Sequence, residues 1–153
     1  MTQTTQTEQL VTAEIRKELP ASVETVWHWF TDPDRLATWG VGRRYNHVTI
    51  DTDLRPGGVI HHRVTGKDDG TPWVFHGVYH EIDQPNRLSY TFDWKNDWRE
   101  PPTPSLVDIE FTASGDGTEI TLTHSQLPTE AVESTESHWN EFLDLLAQLI
   151  RDA

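Results

Sequence analysis

The chain has 153 residues, 25 acidic against 12 basic side chains, a formal charge of -13 and no cysteine. A field of that sign repels phosphate backbones and anionic lipid, so nucleic acid and membrane surfaces are not expected partners. Without cysteine there is no disulfide framework, thiolate metal site or thiol nucleophile, and no run of about 18 apolar residues offers a membrane span.

A chain of this size buries about 68–70% of its unfolded surface, enough for one core and a cavity. Met1 to Gln9 is polar and rich in Thr and Gln, with no basic start before an apolar stretch. The expectation is a flexible tail over 1-10, one domain over 11-153, no secretory leader and a cytoplasmic setting. Lysine occurs only at Lys17, Lys67 and Lys95. An acidic, lysine-poor surface resembles those of proteins from salt-loving organisms, where salt screens the self-repulsion.

Val11 to Leu19 alternates, with Ala13, Ile15 and Leu19 against Glu14, Arg16 and Glu18, and predicts a strand with one wet face. Ser22 is placed to cap a short helix, Val23 to Phe30, and Asp32-Pro33 to start a second one ending near Trp39. From Asn46 the pattern turns strand-like. Val48 and Ile50 alternate, Arg55-Pro56-Gly57-Gly58 turns into Val59 to Thr65, and Lys67 to Gly70 turns again. Trp73 to Asp83 and Arg87 to Trp94 form a hairpin about Gln84-Pro85-Asn86. Lys95 to Ser105, with Pro101, Pro102 and Pro104, reads as a long loop and a candidate lid. Leu106 to Thr112 and Glu119 to Ser125 are the last strands. From Thr129 to Arg151 the period changes: Val132, Trp139, Phe142, Leu143, Leu146, Leu149 and Ile150 share one helical stripe.

Consecutive strands with short turns pair as antiparallel neighbours, and one long helix over one face makes an α+β layer. The same residues resemble a known family. Ser22-Val23-Glu24-Thr25-Val26-Trp27, Thr31-Asp32-Pro33 and Trp39 are similar to its N-terminal signature, and Asp53 to Gly58 to its strand-turn motif. His76 to Ile82 with Pro85, Arg87 and Leu88 resembles its central hairpin; Gly117 to His124 and Trp139 to Leu146 complete the likeness. The family is that of the activator of the ninety-kilodalton heat-shock protein ATPase, within the START-like (Bet v-like, polyketide-cyclase-like) superfamily. The resemblance runs from about Val11 to Ile150. It implies a helix-grip fold: a curved antiparallel sheet of about seven strands around a long C-terminal helix, with two short N-terminal helices and a cavity for hydrophobic or amphipathic molecules. The matching motifs are turns, caps and core positions, so they assign no catalytic residue. Two departures stand out: Ser22 where a proline is common, and Gly40 after Trp39 where a second tryptophan is usual, which implies a wider entrance.

Alternation places Leu88, Tyr90, Phe92 and Trp94 on one face, and Val107, Ile109 and Phe111 on another opposite Asp108 and Glu110. Ile120 and Leu122 bring His124 inward, and Ile60 and Val64 bring His62 inward with His61 outside; His76 and His80 have no readable face. The expected ligand-binding set is therefore His62, Tyr90, Phe92, Trp94, Ile109, Phe111, Leu122, His124, Trp139 and Phe142. Three roles compete for the inward histidines: orienting an apolar ligand, holding a metal, or, for His124, satisfied core packing. No His-x-His or His-Glu-x-x-His spacing supports a metal, and no glycine-rich phosphate loop supports a nucleotide, so neither metal nor cofactor is expected. Lys17 either guards an edge strand or meets a ligand carboxylate inside, and Arg43-Arg44 either attract an anion at the entrance or are simply solvated.

The function these features favour is binding of a small hydrophobic or amphipathic ligand, not catalysis. One rival, implied by the resemblance, is a co-chaperone of the heat-shock protein, against which stands the missing extra N-terminal domain of eukaryotic co-chaperones. The other is a cyclase or aromatase in which a His or Tyr moves protons.

Overall fold

The structure, a computed structural model, describes residues 10–39, 45–96 and 105–153. The elements in chain order are β1 (Leu10–Leu19), α1 (Val23–Thr31), α2 (Pro33–Trp39), β2 (Tyr45–Thr52), β3 (Val59–Gly66), β4 (Pro72–Asp83), β5 (Arg87–Asn96), β6 (Ser105–Ser114), β7 (Gly117–Pro128) and α3 (Val132–Asp152). A 3-10 turn over Thr129–Ala131 leads into α3. All strand pairs are antiparallel, in the order β1-β7-β6-β5-β4-β3-β2. The fold is the helix-grip arrangement that the sequence pattern predicts, with α3 lying against β1 and β7 and touching α2.

Local chemistry explains the boundaries. Ser22 Oγ accepts from the Thr25 amide at 3.3 Å and opens α1, and Asp32 Oδ1 accepts from the Asp34 amide at 3.0 Å beside the proline that starts α2. The helix pair is pinned by Trp39 Nε1, which donates to the Trp29 carbonyl at 2.9 Å, and by the Arg35 guanidinium 4.7 Å above the Trp29 ring. Phe111 then receives the edges of Trp27 at 5.5 Å and Phe30 at 5.2 Å, fixing α1 to β6.

Three strands contain an extra residue, and in β2 it is Val48, where the pairing with β3 shifts between His47 and Thr49. In β4 the pairing with β5 shifts between Tyr79 and Glu81, so His80 is the bulged residue. Before it Phe75, Gly77 and Tyr79 face inward; after it Ile82 does, so the strand changes phase. Gly77 sits where the neighbouring backbone comes closest, because a Cβ there would lie 2.2 Å from the Thr91 carbonyl oxygen. In β7 the pairing with β1 shifts between Val11 and Ala13, opposite Gln126, whose φ is 63°.

Several sequence boundaries are corrected. Lys95 and Asn96 continue β5 rather than begin a loop, and Ser105 is the first residue of β6, paired with Phe92. β7 runs to Pro128 because the Gln126 bulge lets pairing resume at Leu127. The rest of the candidate lid (97–104), Arg43-Arg44, and most of the N-terminal tail lie outside the described residues.

Candidate functional site

The inner face of the sheet is assembled from one row per strand. His62 on β3 pairs with Phe75 on β4, Tyr79 on β4 with Tyr90 on β5, Tyr90 with Val107 on β6, Phe92 with Ser105, and Val107 with His124 on β7. Strand parity therefore brings His62, Tyr90, Phe92, Ile109, Phe111, Leu122 and His124 to one face, and α3 brings Trp139 and Phe142 to it from above. The Trp94 side chain lies outside the described residues. His61 points outward as expected, and it settles the ambiguous histidines: the His61 and His76 rings stand 6.0 Å apart on the outer face, and His80 is exposed.

Ile109 and Leu122 have no exposed surface, and Phe111 is packed under Trp27 and Phe30. These three form a floor. Above it, Phe75 stacks on Phe92 at 4.6 Å, Phe92 faces Trp139 at 6.5 Å, and Trp139 meets the Phe142 ring at 6.0 Å. Tyr90, Phe92 and Phe142, with Ile50 and Ile82, are only half-buried although they pack against the core. The result is an aromatic arc between β4, β5 and α3 with part of its surface uncovered.

His124 is 3% exposed, and both ring nitrogens are engaged inside the protein. Trp139 Nε1 donates to Nδ1 at 3.0 Å, and Ser105 Oγ lies 2.6 Å from Nε2. An indole N–H only donates, so Nδ1 must present its lone pair and the neutral ring carries its proton on Nε2. That proton goes to Ser105 Oγ, and the Ser105 hydroxyl donates onward to the Phe92 carbonyl at 3.0 Å. Burial pushes the imidazole down from 6.5 to about 4. A serine beside a histidine invites a nucleophile–base reading, but here the histidine gives a proton toward the serine, the reverse of what activation needs. Sequence reasoning missed Ser105 because its neighbours are prolines and it was placed in the loop. The signal was available: Ser105 is in phase with Val107, Ile109 and Phe111.

Tyr79 was missed as well. It is 2% exposed and opposes Tyr90 directly, their rings 6.3 Å apart at 81°. Burial, with a smaller contribution from the Asp53 carboxylate, pushes its phenol up to about 12; burial and then the neighbouring Tyr79 raise Tyr90 as well. Both stay protonated, as hydrogen-bond donors, throughout the physiological range. Lys17 does face the helix side, but its ammonium is paired with Asp144 on α3. Among the described residues no group of three or more His, Asp or Glu is arranged to hold a metal ion. No helix among them is long and apolar enough to cross a membrane.

The family model described as "Activator of Hsp90 ATPase homolog 1-like protein" matches residues 20–151. The chain belongs to this family. Solved structures similar to it include an AHSA1-like protein from Aeromonas hydrophila, 25% identical with a TM-score of 0.75 over 92% of each chain. A protein from Chromobacterium violaceum is 23% identical with a TM-score of 0.81 over 92% of this chain and 97% of its own. CalU16 from Micromonospora echinospora is 25% identical with a TM-score of 0.68 over 91% of this chain and 75% of its own. No curated protein matches the sequence significantly. Family membership in the Activator of Hsp90 ATPase homolog 1-like group accounts for the order of the turns and caps; it assigns no reaction to the residues of the arc.

Proposed function

We propose that this protein is a cytoplasmic carrier or sensor of a small, largely apolar molecule, held between the inner face of β4 and β5 and the underside of α3. The observation that carries this reading is the half-buried state of Tyr90, Phe92 and Phe142, with Ile50 and Ile82, on a face whose floor of Ile109, Phe111 and Leu122 is sealed. A protein interior is normally packed to crystal-like density, and an uncovered aromatic surface is where a ligand gains most from desolvation. Of the ten residues that the sequence nominates, Tyr90, Phe92, Trp94, Trp139, Phe142 and His62 are the proposed wall. Ile109, Phe111 and Leu122 support it, and His124 holds Trp139 in place.

The Ser105–His124–Trp139 chain argues against a proton-moving role for His124, and with it against the cyclase-type reading in the form that uses that residue. A chaperone partnership rests on the family match, and capture of the heat-shock protein by the immobilised chain, compared with a Trp139→Ala variant, tests it separately. The ligand reading is tested by native mass spectrometry of freshly purified protein and by titration with Nile red, a neutral apolar dye. A co-purifying adduct or saturable dye binding that weakens several-fold in Phe92→Ala is the expected result. Absence of both adduct and saturable binding overturns the reading.

A further inference from the structure

Tyr79 combines features that packing alone does not explain. Its side chain is 2% exposed, and among the described residues neither its hydroxyl nor that of Tyr90 has a hydrogen-bond partner, while neither oxygen is sealed from solvent. A hydroxyl that no protein group engages and that solvent still reaches is free to donate to a ligand and exchanges a water for it on binding. The Asp53 carboxylate, whose charge acts on the Tyr79 phenol, is engaged by Arg55 Nε at 2.7 Å. The two phenols leave the sheet from directly opposed positions, with Phe75 6.2 Å from Tyr90 and stacked on Phe92, so they stand at one end of the aromatic arc.

The inward positions of β3 to β7 supply the second observation. Among the described residues they carry Ile60, His62, Val64, Phe75, Tyr79, Leu88, Tyr90, Phe92, Val107, Ile109, Ile120, Leu122 and His124, without one Asp, Glu, Lys or Arg. The inward cation of β1, Lys17, is already paired with Asp144. An ionised ligand group would have to shed its water with no counter-charge to meet it. A carbonyl oxygen has two lone pairs and accepts two donors at once.

Building on the ligand-binding reading above, we propose that the Tyr79 and Tyr90 hydroxyls form a paired donor anchor, and that the site selects an electrically neutral apolar molecule bearing a carbonyl oxygen. The test uses three probes of one shape: fluorene, 9-fluorenone and fluorene-9-carboxylate, measured by equilibrium dialysis on the full chain. Wild type should bind the ketone about 3–10-fold more tightly than the hydrocarbon, the value of one or two hydrogen bonds, and the carboxylate least. Tyr79→Phe with Tyr90→Phe keeps ring volume and should abolish the ketone preference, read as the ratio of ketone to hydrocarbon affinity falling to about one within the same variant. A ketone preference that survives the double variant, is absent from wild type, or yields to the carboxylate overturns the anchor and leaves the ligand reading standing. Failure of all three probes to bind wild type overturns both.

Discussion

Beneath the long helix, on β1, β6 and β7, the inward residues Ala13, Val107, Ile109, Ile120 and Leu122 meet Leu143 and Leu146 of α3, and all are fully buried. Across β3, β4 and β5 the inward residues include His62, Phe75, Tyr79, Tyr90 and Phe92, and the last two keep exposed surface. Aliphatic side chains interdigitate and seal; rings with fixed edges and polar tips leave gaps that only a partner of matching shape fills. One half of the sheet is therefore sealed by aliphatic packing, and the proposed recognition surface lies on the other. His124 stands at the seam, its ring 5.0 Å from Phe92 on one side and hydrogen-bonded to Trp139 on the other.

Truncation is the most forceful way to break this contrast. Leu122→Ala or Leu143→Ala should cost about 2–5 kcal/mol, and Trp139→Ala about 3–5 kcal/mol, because each leaves a cavity in packed surroundings. Phe92→Ala and Phe142→Ala should cost about 1–2 kcal/mol, since part of each ring is not covered and less burial is lost. Urea denaturation of the series measures this directly. Equal losses in both halves would mean that the aromatic half is an ordinary core.

The seam makes a second, somewhat smaller effect accessible through pH. The His124 imidazole is held near 4 in the folded protein against 6.5 when unfolded, so between these values the unfolded chain binds a proton that the folded one refuses. Stability contributed by the neutral ring is complete above about pH 6.5 and is lost as the pH falls toward 4, by up to about 3 kcal/mol. His124→Gln keeps hydrogen-bonding capacity without the titration, so its stability should fall less steeply over that window. Superimposable pH profiles for the variant and the wild type would show that the ring is not held neutral.

The difference between the halves also explains what the sequence revealed. Along β5, β6 and β7 the alternation is unbroken from Leu88 to Phe92, Val107 to Phe111 and Ile120 to His124, so one in-phase apolar set determines every facing. In β4 the His80 bulge moves the inward set from odd to even positions, from Tyr79 to Ile82, and the two phases overlap in the sequence as a mixed pattern. Tyr79 was hidden by that overlap. The α3 stripe was legible, but not the unequal cover of Trp139 and Phe142, which depends on where the helix crosses the sheet. The Lys17–Asp144 pair was invisible for a different reason: 127 residues separate the partners, and only the fold brings them together.

The smallest effect concerns the bulge that ends the sealed half. Gln126 adopts φ 63°, a left-handed conformation in which a side chain crowds its own backbone, and it is exposed, so its side chain gains little from packing. It stays there because β1 resumes pairing beyond it, Val11 with Leu127, after Ala13 has paired with His124. Glycine removes the strain but adds freedom to the unfolded chain, and these two changes partly cancel. Gln126→Gly should therefore stabilise by about 0.5–1 kcal/mol, read as a small rise in the urea midpoint with an unchanged slope. Gln126→Val, branched at Cβ, should destabilise by more than glycine gains. If glycine lowers stability and valine is neutral, β1 and β7 do not pair through a left-handed residue. The register that places His124 opposite Ala13 would then need to be redrawn.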